Sequence, residues 1–215
     1  MALSKHQKGV VYVGSQYVHK TSNKGMSWNV ISPDLTTNDK THQQNSGGIN
    51  SDNLMTFDGS TLYVIVESPL TKGVLWTGSN DGQVQVTTND GKTWTNVTAN
   101  IKGIAPWGTI RSIDASNFET GTAYISITYQ QLGDFKPYIF RTTDFGKTWT
   151  NILEDKKVIG YALCVLQDPT QPNLIFVGTE QGLWISLDNA ATFQQFKNGY
   201  PSVSTYDLAI QEREN

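Results

Sequence analysis

The acidic residues that could take part in acid–base chemistry are spread along the whole chain, at Asp34, Asp58, Glu67, Asp114, Asp134 and Asp155. Hydrolysis of a glycosidic bond needs two carboxyl groups that face each other about 5–10 Å apart. No spacing among these residues singles out such a pair. Glu67, Asp114 and Asp168 fall where predicted strands give way to turns, and a carboxylate there more often caps the turn than reacts. We therefore predict no catalytic residue.

The histidine and cysteine residues predict neither a metal centre nor a nucleophile. The three histidines are scattered, and the single cysteine, Cys164, lies in the apolar run 161–166. A zinc site needs three or four such ligands brought together. The turns at 80–82 (Asn-Asp-Gly) and 89–91 (Asn-Asp-Gly) suit hairpins and lack the further carboxylates of a calcium loop. We expect no metal and no cofactor.

Charge and hydropathy argue against two classes of partner. The net charge is −3, and the only arginines are Arg111, Arg141 and Arg213. A nucleic-acid or anionic-membrane surface requires clustered Lys and Arg. No apolar run reaches the length of a membrane-spanning helix, and residues 1–9 lack the apolar core of a signal peptide. We expect no nucleic-acid and no membrane partner, and the compartment stays open.

An eight-residue motif recurs four times, and it organises the elements that must position these side chains. The pattern is (Ser/Thr)-x-(Asp/Asn)-x-Gly-x-(Thr/Ser)-(Trp/Phe), and its copies, which we call box turns, are 21–28, 87–94, 142–149 and 186–193. The characteristic positions hold Asn23, Gly25 and Trp28, then Asn89, Gly91 and Trp94, then Asp144, Gly146 and Trp149, then Asp188 and Phe193. In the fourth copy Ala190 replaces the glycine.

The residue types of the box turn suit a compact connection between two antiparallel strands. A short Asp or Asn side chain accepts hydrogen bonds from backbone N–H groups just ahead of it. Glycine adopts the positive φ that other residues resist. The aromatic ring, which opens the next strand, can fold over the turn and bury it. We interpret each box turn as a structural clasp.

The spacing of the box turns predicts a repeat of four strands. They start at residues 21, 87, 142 and 186, so the separations are 66, 55 and 44 residues. Runs of β-branched and aromatic residues bounded by turn residues precede each box turn, and a strand led by the aromatic residue follows it. No segment of useful length has helical periodicity. Such units are typical of a β-propeller.

The sequence therefore predicts an all-β fold, a single β-propeller or part-propeller over 1–215 with four antiparallel blades. The expected blades are 60–98, 109–153, 161–197, and a first blade made of 8–32 plus the terminal run 203–211. No upstream strand is evident before the turn at 4–9, whereas 203–211 resembles an innermost strand without its three partners. Pairing these two ends, within one chain or between two, would remove exposed strand edges.

With these motifs in place, the chain resembles the Asp-box (BNR-repeat) β-propellers, and most of all the sortilin-like BNR-repeat proteins of bacteria. The segments that carry the likeness are 12–16, 31–36, 67–70, 81–87, 134–138 and 197–201. The likeness covers nearly the whole chain. Because family members usually continue beyond the position of Asn215 with the rest of that blade, it implies a segment of a larger propeller. Relatives are often exported.

The resemblance brings one enzyme class into consideration, the sialidases. Their mechanism uses three arginines that grip the substrate carboxylate and a tyrosine nucleophile paired with a glutamate. Arg111 could lie on an inner strand, but Arg141 lies beside a box turn, and Arg213 lies in the terminal tail. The arginine-containing N-terminal motif of sialidases is absent. We expect no sialidase activity, and a BNR-class glycoside hydrolase, or a fragment of one, is the alternative to a binding role.

Binding is the function that the sequence favours. In the family, the loops opposite the box turns gather on one face, and here the candidates for that face are Asp34, Trp107, Arg111, Asp134, Phe135, Lys136 and Tyr200. Aromatic residues in loops beside polar groups suit a carbohydrate or a peptide; packing between blades is the alternative for Trp107 and Phe135. We predict a non-catalytic module for a protein or carbohydrate ligand. A homodimer that completes a larger ring is preferred over closure within one chain.

Overall fold

Four antiparallel sheets of four strands each make up the regular structure of the chain. The computed structural model describes residues 1–43, 60–154 and 156–211. In each sheet the strands follow one another in chain order. This is the all-β fold of β-propeller type that the sequence predicts, so the fold class is confirmed. The candidate residues Asp58, Asp155 and Arg213 lie outside the described ranges.

We number the sheets as blades 1 to 4. Blade 1 consists of β1 (Ala2–Leu3), β2 (Val11–Gly14), β3 (Val18–Thr21) and β4 (Asn29–Val30). Blade 2 consists of β5 (Leu62–Glu67), β6 (Leu75–Ser79), β7 (Val84–Thr87) and β8 (Thr95–Asn96). Blade 3 consists of β9 (Thr109–Ala115), β10 (Ala123–Tyr129), β11 (Asp134–Thr142) and β12 (Thr150–Asn151). Blade 4 consists of β13 (Ala162–Gln167), β14 (Ile175–Thr179), β15 (Gly182–Ser186) and β16 (Gln194–Gln195).

Short 3-10 turns are the helical elements of the described chain, at Lys40–Gln43, Thr98–Asn100 and Gln130–Leu132. The chain forms two compact units, Met1–Ile110 and Arg111–Asn215, which we call unit 1 and unit 2. Unit 1 has an apolar core that includes Tyr12, Leu35 and Leu75. Unit 2 has a core of its own, to which blades 3 and 4 both contribute.

The innermost strand of blade 1 is Ala2–Leu3, and the prediction that 203–211 supplies it is wrong for this structure. Ala2 pairs with Tyr12, and Leu3 pairs with Val11. A strand of two residues is too short to show a period-2 pattern, which is why the sequence did not reveal it.

The turn that follows β1 explains its position. The Ser4 hydroxyl accepts hydrogen bonds from the N–H groups of His6 and Gln7 at 3.2 and 3.1 Å. After β5, the Ser68 hydroxyl accepts the equivalent bonds from the next turn, from Leu70 and Thr71 at 3.3 Å each. Blade 1 therefore has the same connection between its first two strands as blade 2.

The segment 203–211 has no strand assignment, but it lies against blade 4 in the position of a following innermost strand. The N–H of Thr205 donates to the carbonyl of Thr179 over 2.9 Å. Between blades 1 and 2, the N–H of Leu62 donates to the carbonyl of Ser15 over 2.7 Å. The backbone of Thr205 thus meets blade 4 as the start of β5 meets blade 1.

The outer strands are short, and one hairpin is long. The outer strands β4, β8, β12 and β16 each keep only two paired residues. The hairpin of β10 and β11 is long, because β11 begins at Asp134 and β10 runs to Tyr129 across a register shift. The residues 134–136, predicted to lie in a loop, are therefore part of a strand.

Each box turn is closed by the same set of hydrogen bonds. In the third copy the Thr142 hydroxyl donates to Asp144 Oδ1 at 2.9 Å and accepts the Gly146 N–H at 2.9 Å. Thr148 N–H donates to Asp144 Oδ1 at 2.9 Å. The other three copies repeat these bonds with their own residues. This set of bonds is local, because each one joins two residues of the same box turn.

Two successive residues of each box turn have positive φ. In the third copy these are Phe145 at 61° and Gly146 at 80°, and in the fourth they are Asn189 at 57° and Ala190 at 68°. Ala190 therefore tolerates a backbone conformation that costs an L-residue about 1–2 kcal/mol. Its side chain is buried in the unit 2 core, which offsets part of that cost.

The aromatic residue that ends the box turn has a different environment in each copy. Trp149 Nε1 donates to the Gly146 carbonyl of its own turn at 3.1 Å. Trp94 Nε1 donates instead to the Ile31 carbonyl of blade 1 at 2.9 Å. Phe193 packs on the unit 2 core, and Trp28 is 44% exposed. The ring is therefore used within a turn in one copy and between blades in another.

Candidate functional site

In unit 2, the buried ring of Tyr161 lies beside the exposed ring of Phe135. Tyr161 immediately precedes β13 and is buried. Phe135, in β11, places its ring 6.2 Å from the Tyr161 ring in a tilted arrangement and is 58% exposed. Two aromatic rings from different blades of unit 2 are thus brought together, with one of them open to solvent.

The electrostatic environment of Tyr161 identifies its other neighbours. Burial raises the pKa of the Tyr161 phenol, the Glu180 carboxylate and the Tyr206 phenol raise it further, and the Arg111 guanidinium lowers it. The Tyr161 hydroxyl is therefore protonated at neutral pH and can donate a hydrogen bond. Tyr206, in the segment 203–211, is 60% exposed.

We call Arg111, Phe135, Tyr161 and Tyr206 the Tyr161 cluster. It combines two exposed aromatic rings, a buried phenol and a guanidinium within electrostatic range of that phenol. Aromatic faces offer stacking surfaces, and the guanidinium offers charged hydrogen-bond donors. This arrangement can hold a ligand.

Asp134 braces the hairpin that carries Phe135. Its carboxylate accepts the Lys136 N–H at 3.0 Å and the Tyr138 hydroxyl at 2.7 Å. The Lys136 N–H first, and the Tyr138 hydroxyl second, lower the pKa of Asp134. Burial and the same hydrogen bond raise the pKa of Tyr138 to about 12. Lys136 is exposed and, by strand alternation, lies on the opposite face from Phe135.

Tyr200 holds the segment 203–211 in place. Its hydroxyl is 2.8 Å from Thr205 Oγ1, and its ring lies 6.4 Å from that of Phe196. Tyr200 is half-buried. Its contacts connect the end of blade 4 to the segment that carries Tyr206.

The remaining candidates for the ligand face, Asp34 and Trp107, lie in unit 1. The Asp34 carboxylate accepts the N–H and the hydroxyl of Thr36 at 3.0 and 2.6 Å, so it closes a local turn. Trp107 has φ of 67° and stacks on His42, with ring centroids 3.7 Å apart and planes 16° from parallel. The structure therefore gathers Arg111 and Phe135 around Tyr161 and places Trp107 in a separate ring stack.

The carboxylates considered for acid–base chemistry accept hydrogen bonds from turns and from neighbouring blades. Glu67 is buried and accepts hydrogen bonds from the Tyr12 hydroxyl at 3.2 Å, the Lys5 N–H at 3.0 Å and the Gly73 N–H at 3.3 Å. Asp114 accepts the Gln167 N–H at 2.7 Å.

Asp168, at the corresponding turn of blade 4, is a cap with a lowered pKa. Burial acts to raise the pKa of Asp168, but the N–H and hydroxyl of Thr170 and the N–H of Gln171 lower it overall. A general acid for glycoside hydrolysis needs a raised pKa. Asp134 and Asp168 are shifted in the opposite direction.

Arg141 takes part in a contact between two blades. Arg141 Nη1 donates to Asn189 Oδ1 at 2.8 Å and so belongs to the contact between blades 3 and 4.

Within the described ranges, no group of three or more His, Cys, Asp and Glu residues could hold a metal ion. No helix among the same residues is long and apolar enough to cross a membrane.

Sequence reasoning did not select Tyr161, Tyr206 or His42 for the site. Tyr161 opens a predicted strand after Gly160, and Tyr206 lies within the predicted strand 203–211, so both had the pattern of core residues. The signal that could have identified Tyr161 as a site residue was its position at the start of a predicted innermost strand. The proximity of Tyr161 to Phe135 depends on the register of β10 and β11, which residue types alone do not reveal.

Comparison with known proteins shows the fold. Neither a family model nor a curated protein sequence matches the chain. An ancestral GH74 enzyme is similar over 92% of this chain and 23% of its own, with a TM-score of 0.63 and 14% identity. The GH74 xyloglucanase from Xanthomonas campestris (89% and 29%, TM-score 0.62, 15% identity) and the GH74 enzyme from Niastella koreensis (88% and 28%, TM-score 0.61, 16% identity) are similar too. The chain thus spans about a quarter of the length of these enzymes, and at such low identity the likeness establishes a β-propeller-type fold.

Proposed function

We propose that this chain is a sortilin-like Asp-box (BNR-repeat) propeller segment that binds a glycan or a protein without chemical turnover, and that the Tyr161 cluster contacts the ligand. The observation that carries the proposal is the exposed Phe135 ring beside the buried Tyr161 ring, with Arg111 and the exposed Tyr206 in electrostatic range of the Tyr161 phenol. The hydrogen bonds repeated in all four box turns support the family assignment.

The chemistry of the cluster suits recognition. An exposed aromatic face can stack on the apolar face of a sugar ring or on a peptide side chain. The Arg111 guanidinium can donate two parallel hydrogen bonds to a carboxylate. The protonated Tyr161 hydroxyl supplies a further donor. A few fixed polar groups among aromatic surfaces are what orients a small ligand.

The positions of the carboxylates favour binding over hydrolysis. Glu67, Asp114, Asp134 and Asp168 each accept hydrogen bonds from neighbouring backbone N–H groups. Glycoside hydrolysis would require one carboxyl that is protonated at neutral pH and a second one across the scissile bond. The xyloglucanase activity named for one of the similar GH74 enzymes is a property of that enzyme. For this chain, hydrolysis is the alternative function.

The test is a binding survey with the intact protein. Xyloglucan oligosaccharides, acidic oligosaccharides and acidic peptides would be titrated by calorimetry, and each sugar probe would be examined for products by chromatography. We expect saturable binding of one probe class with no product. The double variant Phe135→Ala/Tyr206→Ala should weaken that binding at least about tenfold, because aromatic anchors dominate small interfaces.

The matched control is Phe118→Ala, which removes a partly exposed phenylalanine from a turn of blade 3 outside the cluster. It should leave the affinity unchanged. Equal weakening by the control variant would overturn the assignment of the site. Product formation that is lost in Asp134→Asn would support the hydrolase alternative instead.

A further inference from the structure

In unit 1, the contact between blades 1 and 2 contains two carboxylates, and each has a hydrogen-bond donor. The Tyr12 hydroxyl donates to Glu67 Oε1 at 3.2 Å, and Lys20 Nζ donates to both oxygens of Asp90 at 2.7 Å. Glu67 is buried, and a buried charge without such partners would be costly. The charges of this contact are therefore satisfied within the chain.

The contact between blades 3 and 4 of unit 2 uses the same positions of the repeat. Tyr12 pairs with Lys20 across β2 and β3, directly before the first box turn. Tyr124 pairs with Arg141 across β10 and β11, directly before the third box turn. Unit 2 thus keeps the tyrosine and the cation of the unit 1 contact.

The two carboxylates of the unit 1 contact are replaced by amides in unit 2. Gln167 takes the position of Glu67, because each is the last residue of the innermost strand of its blade. Asn189 takes the position of Asp90, because the N–H of each donates over 2.9 Å to the carbonyl two positions before the second strand of its own blade. The cation of the unit 2 contact therefore binds an amide oxygen, at 2.8 Å, where the unit 1 lysine binds a carboxylate.

A pocket of about 230 Å³ lies at this contact in unit 2. Its lining includes the buried residues Ser116, Tyr124 and Gln167, and its charged residues are Arg141 and Glu119. Arg141 and Glu119 form no ion pair with each other. No residue of the Tyr161 cluster lines the pocket, so it is a second candidate site in unit 2.

The two charged side chains both act on the Tyr124 hydroxyl. Burial raises the pKa of Tyr124, the Arg141 guanidinium lowers it, and the carboxylates of Asp114 and Glu119 raise it. The overall shift is upward, so the Tyr124 hydroxyl is protonated at neutral pH and can donate a hydrogen bond. A cation and an anion therefore lie within electrostatic range of one buried donor.

Size and lining restrict what the pocket can hold. Sites for drug-sized ligands have about 300–1,000 Å³, so a cavity of about 230 Å³ suits a smaller molecule. Phe118, which is 38% exposed, and Pro172 add apolar surface. The Glu119 carboxylate accepts the Thr122 hydroxyl at 2.9 Å, which fixes its position on the pocket wall. The pocket thus combines a cation, an anion and an apolar surface in a small volume.

We propose that this pocket binds a free α-amino acid with an aliphatic side chain. Arg141 and the Tyr124 hydroxyl donate to the carboxylate of the ligand, Glu119 accepts hydrogen bonds from its ammonium group, and Phe118 and Pro172 contact its side chain. This site goes beyond the proposed function, because the ligand of the Tyr161 cluster binds elsewhere in unit 2.

The comparison of the two units favours a carboxylate beside Arg141. A guanidinium has several N–H donors in a planar fork that matches a carboxylate, and Asn189 takes only one of them. Glu119 makes a simple anion a poor occupant, because its charge would repel one. A zwitterion satisfies both charges at once, whereas the end of a peptide chain carries only one of them.

The test is a calorimetric titration of the intact protein with leucine, N-acetylleucine, which lacks the ammonium group, and leucinamide, which lacks the carboxylate. We expect saturable binding of leucine and at least about tenfold weaker binding of each derivative, because each lacks a charge-assisted hydrogen bond. No saturable binding of leucine, or equal affinity for leucine and either derivative, would overturn the proposal.

Variants of the two charged residues assign their roles. Arg141→Ala and Glu119→Gln should each weaken leucine binding at least about tenfold. Glu119→Gln should leave the affinity for N-acetylleucine unchanged, because that ligand has no ammonium group to lose. Lys147→Ala and Glu154→Gln are the matched controls, since they remove the same charges from exposed positions of unit 2 outside the pocket. Neither control should change the affinity for leucine.

Asn189→Asp tests the site with a variant that keeps the fold. Asp90 and Asn189 have φ of 59° and 57°, so aspartate fits this backbone. The new carboxylate would lie beside Arg141 as Asp90 lies beside Lys20, and it should abolish leucine binding while the thermal unfolding temperature stays the same or rises. Leucine binding that persists in this variant would contradict the proposed site. A negative result with glycans and acidic peptides would concern the Tyr161 cluster alone.

Discussion

The indole nitrogen of Trp94 donates a hydrogen bond to the main-chain oxygen of Ile31 over 2.9 Å, although the two residues are 63 positions apart. The ring also packs against the unit 1 core. Trp149, at the same position of the repeat, bonds within its own turn. One motif position thus stabilises either a single turn or the contact between two blades.

Replacing Trp94 by Ala is expected to destabilise unit 1 by about 2–4 kcal/mol, slightly less than a fully buried tryptophan would cost, because the ring is only partly buried. The free energy of unfolding from urea titrations would measure the change. Trp94→Phe keeps a ring and removes the Nε1–H donor, and it should cost about 1 kcal/mol. Equal losses in the two variants would show that the ring packing contributes little.

Acid should weaken the third and fourth box turns. Hydrogen bonds from the Thr192 hydroxyl and N–H, and from the Ser186 hydroxyl, lower the pKa of Asp188 to about 2. The hydroxyl and N–H of Thr148 lower the pKa of Asp144 in the same way. A carboxyl with a lowered folded-state pKa stabilises the fold above its unfolded-state value, about 3.9, and loses that contribution as the pH falls through the folded-state pKa. We expect the free energy of unfolding to fall between about pH 4 and pH 2, which urea titrations at several pH values would measure.

Asparagine at these positions should reduce the acid sensitivity without breaking the turns. The first two box turns already use Asn23 and Asn89, whose amides donate to Ser27 and Thr93 at 2.9 and 2.8 Å. The double variant Asp144→Asn/Asp188→Asn should therefore fold at pH 7 and show a shallower loss of stability in acid. An unchanged pH dependence would place the acid-sensitive groups elsewhere.

Two glycines with the same backbone conformation should respond differently to the same substitution. Gly25 and Gly91 have φ of 92° and 84°, so alanine at either one is strained by about 1–2 kcal/mol. A Cβ at Gly25 would meet only the Trp28 ring at 3.9 Å, whereas one at Gly91 would lie 2.5 Å from the Ile31 oxygen. Gly91→Ala should cost about 1–3 kcal/mol more than Gly25→Ala in denaturant titrations. Similar costs would mean that the blades separate readily at Ile31.

The thiol of Cys164 should react slowly with Ellman's reagent at pH 8. Burial raises the pKa of Cys164 to about 11, and the thiolate is the reactive form. Gly178→Ala places a methyl group 2.5 Å from Cys164 Sγ and from the Thr205 carbonyl oxygen, so it should displace the segment 203–211 and speed the reaction. Gly14→Ala, at the same position of blade 1, is the control and should leave the rate unchanged.

The elements that sequence reasoning predicted are those fixed by local chemistry. The box turns close through residues within eight positions of one another, as Asp144 and Thr148 do. The buried runs Leu75–Ser79 and Ala123–Tyr129 are strands because β-branched and aromatic residues fill a buried sheet. Four antiparallel blades follow from these features alone.

Features that depend on distant contacts were not predictable in the same way. Ala2–Leu3 is a strand because Ser4 caps the turn to β2, and two residues show no periodicity. The Tyr161 cluster draws Arg111, Phe135 and Tyr206 from three separate stretches of the chain. The sequence shows which residue types are present, but the register between strands decides which of them come into contact.

Gly14 lies where the next inner strand crosses blade 1 at Leu62, and Gly178 lies where the segment 203–211 crosses blade 4 at Thr205. Neither residue has a side chain that would block the crossing backbone. Any tandem duplication of a blade at the level of the gene would inherit this gap along with the strands. The new repeat would accept a successor without compensating mutations. The same bare backbone that permits close packing therefore makes the number of repeats an evolvable property of the chain.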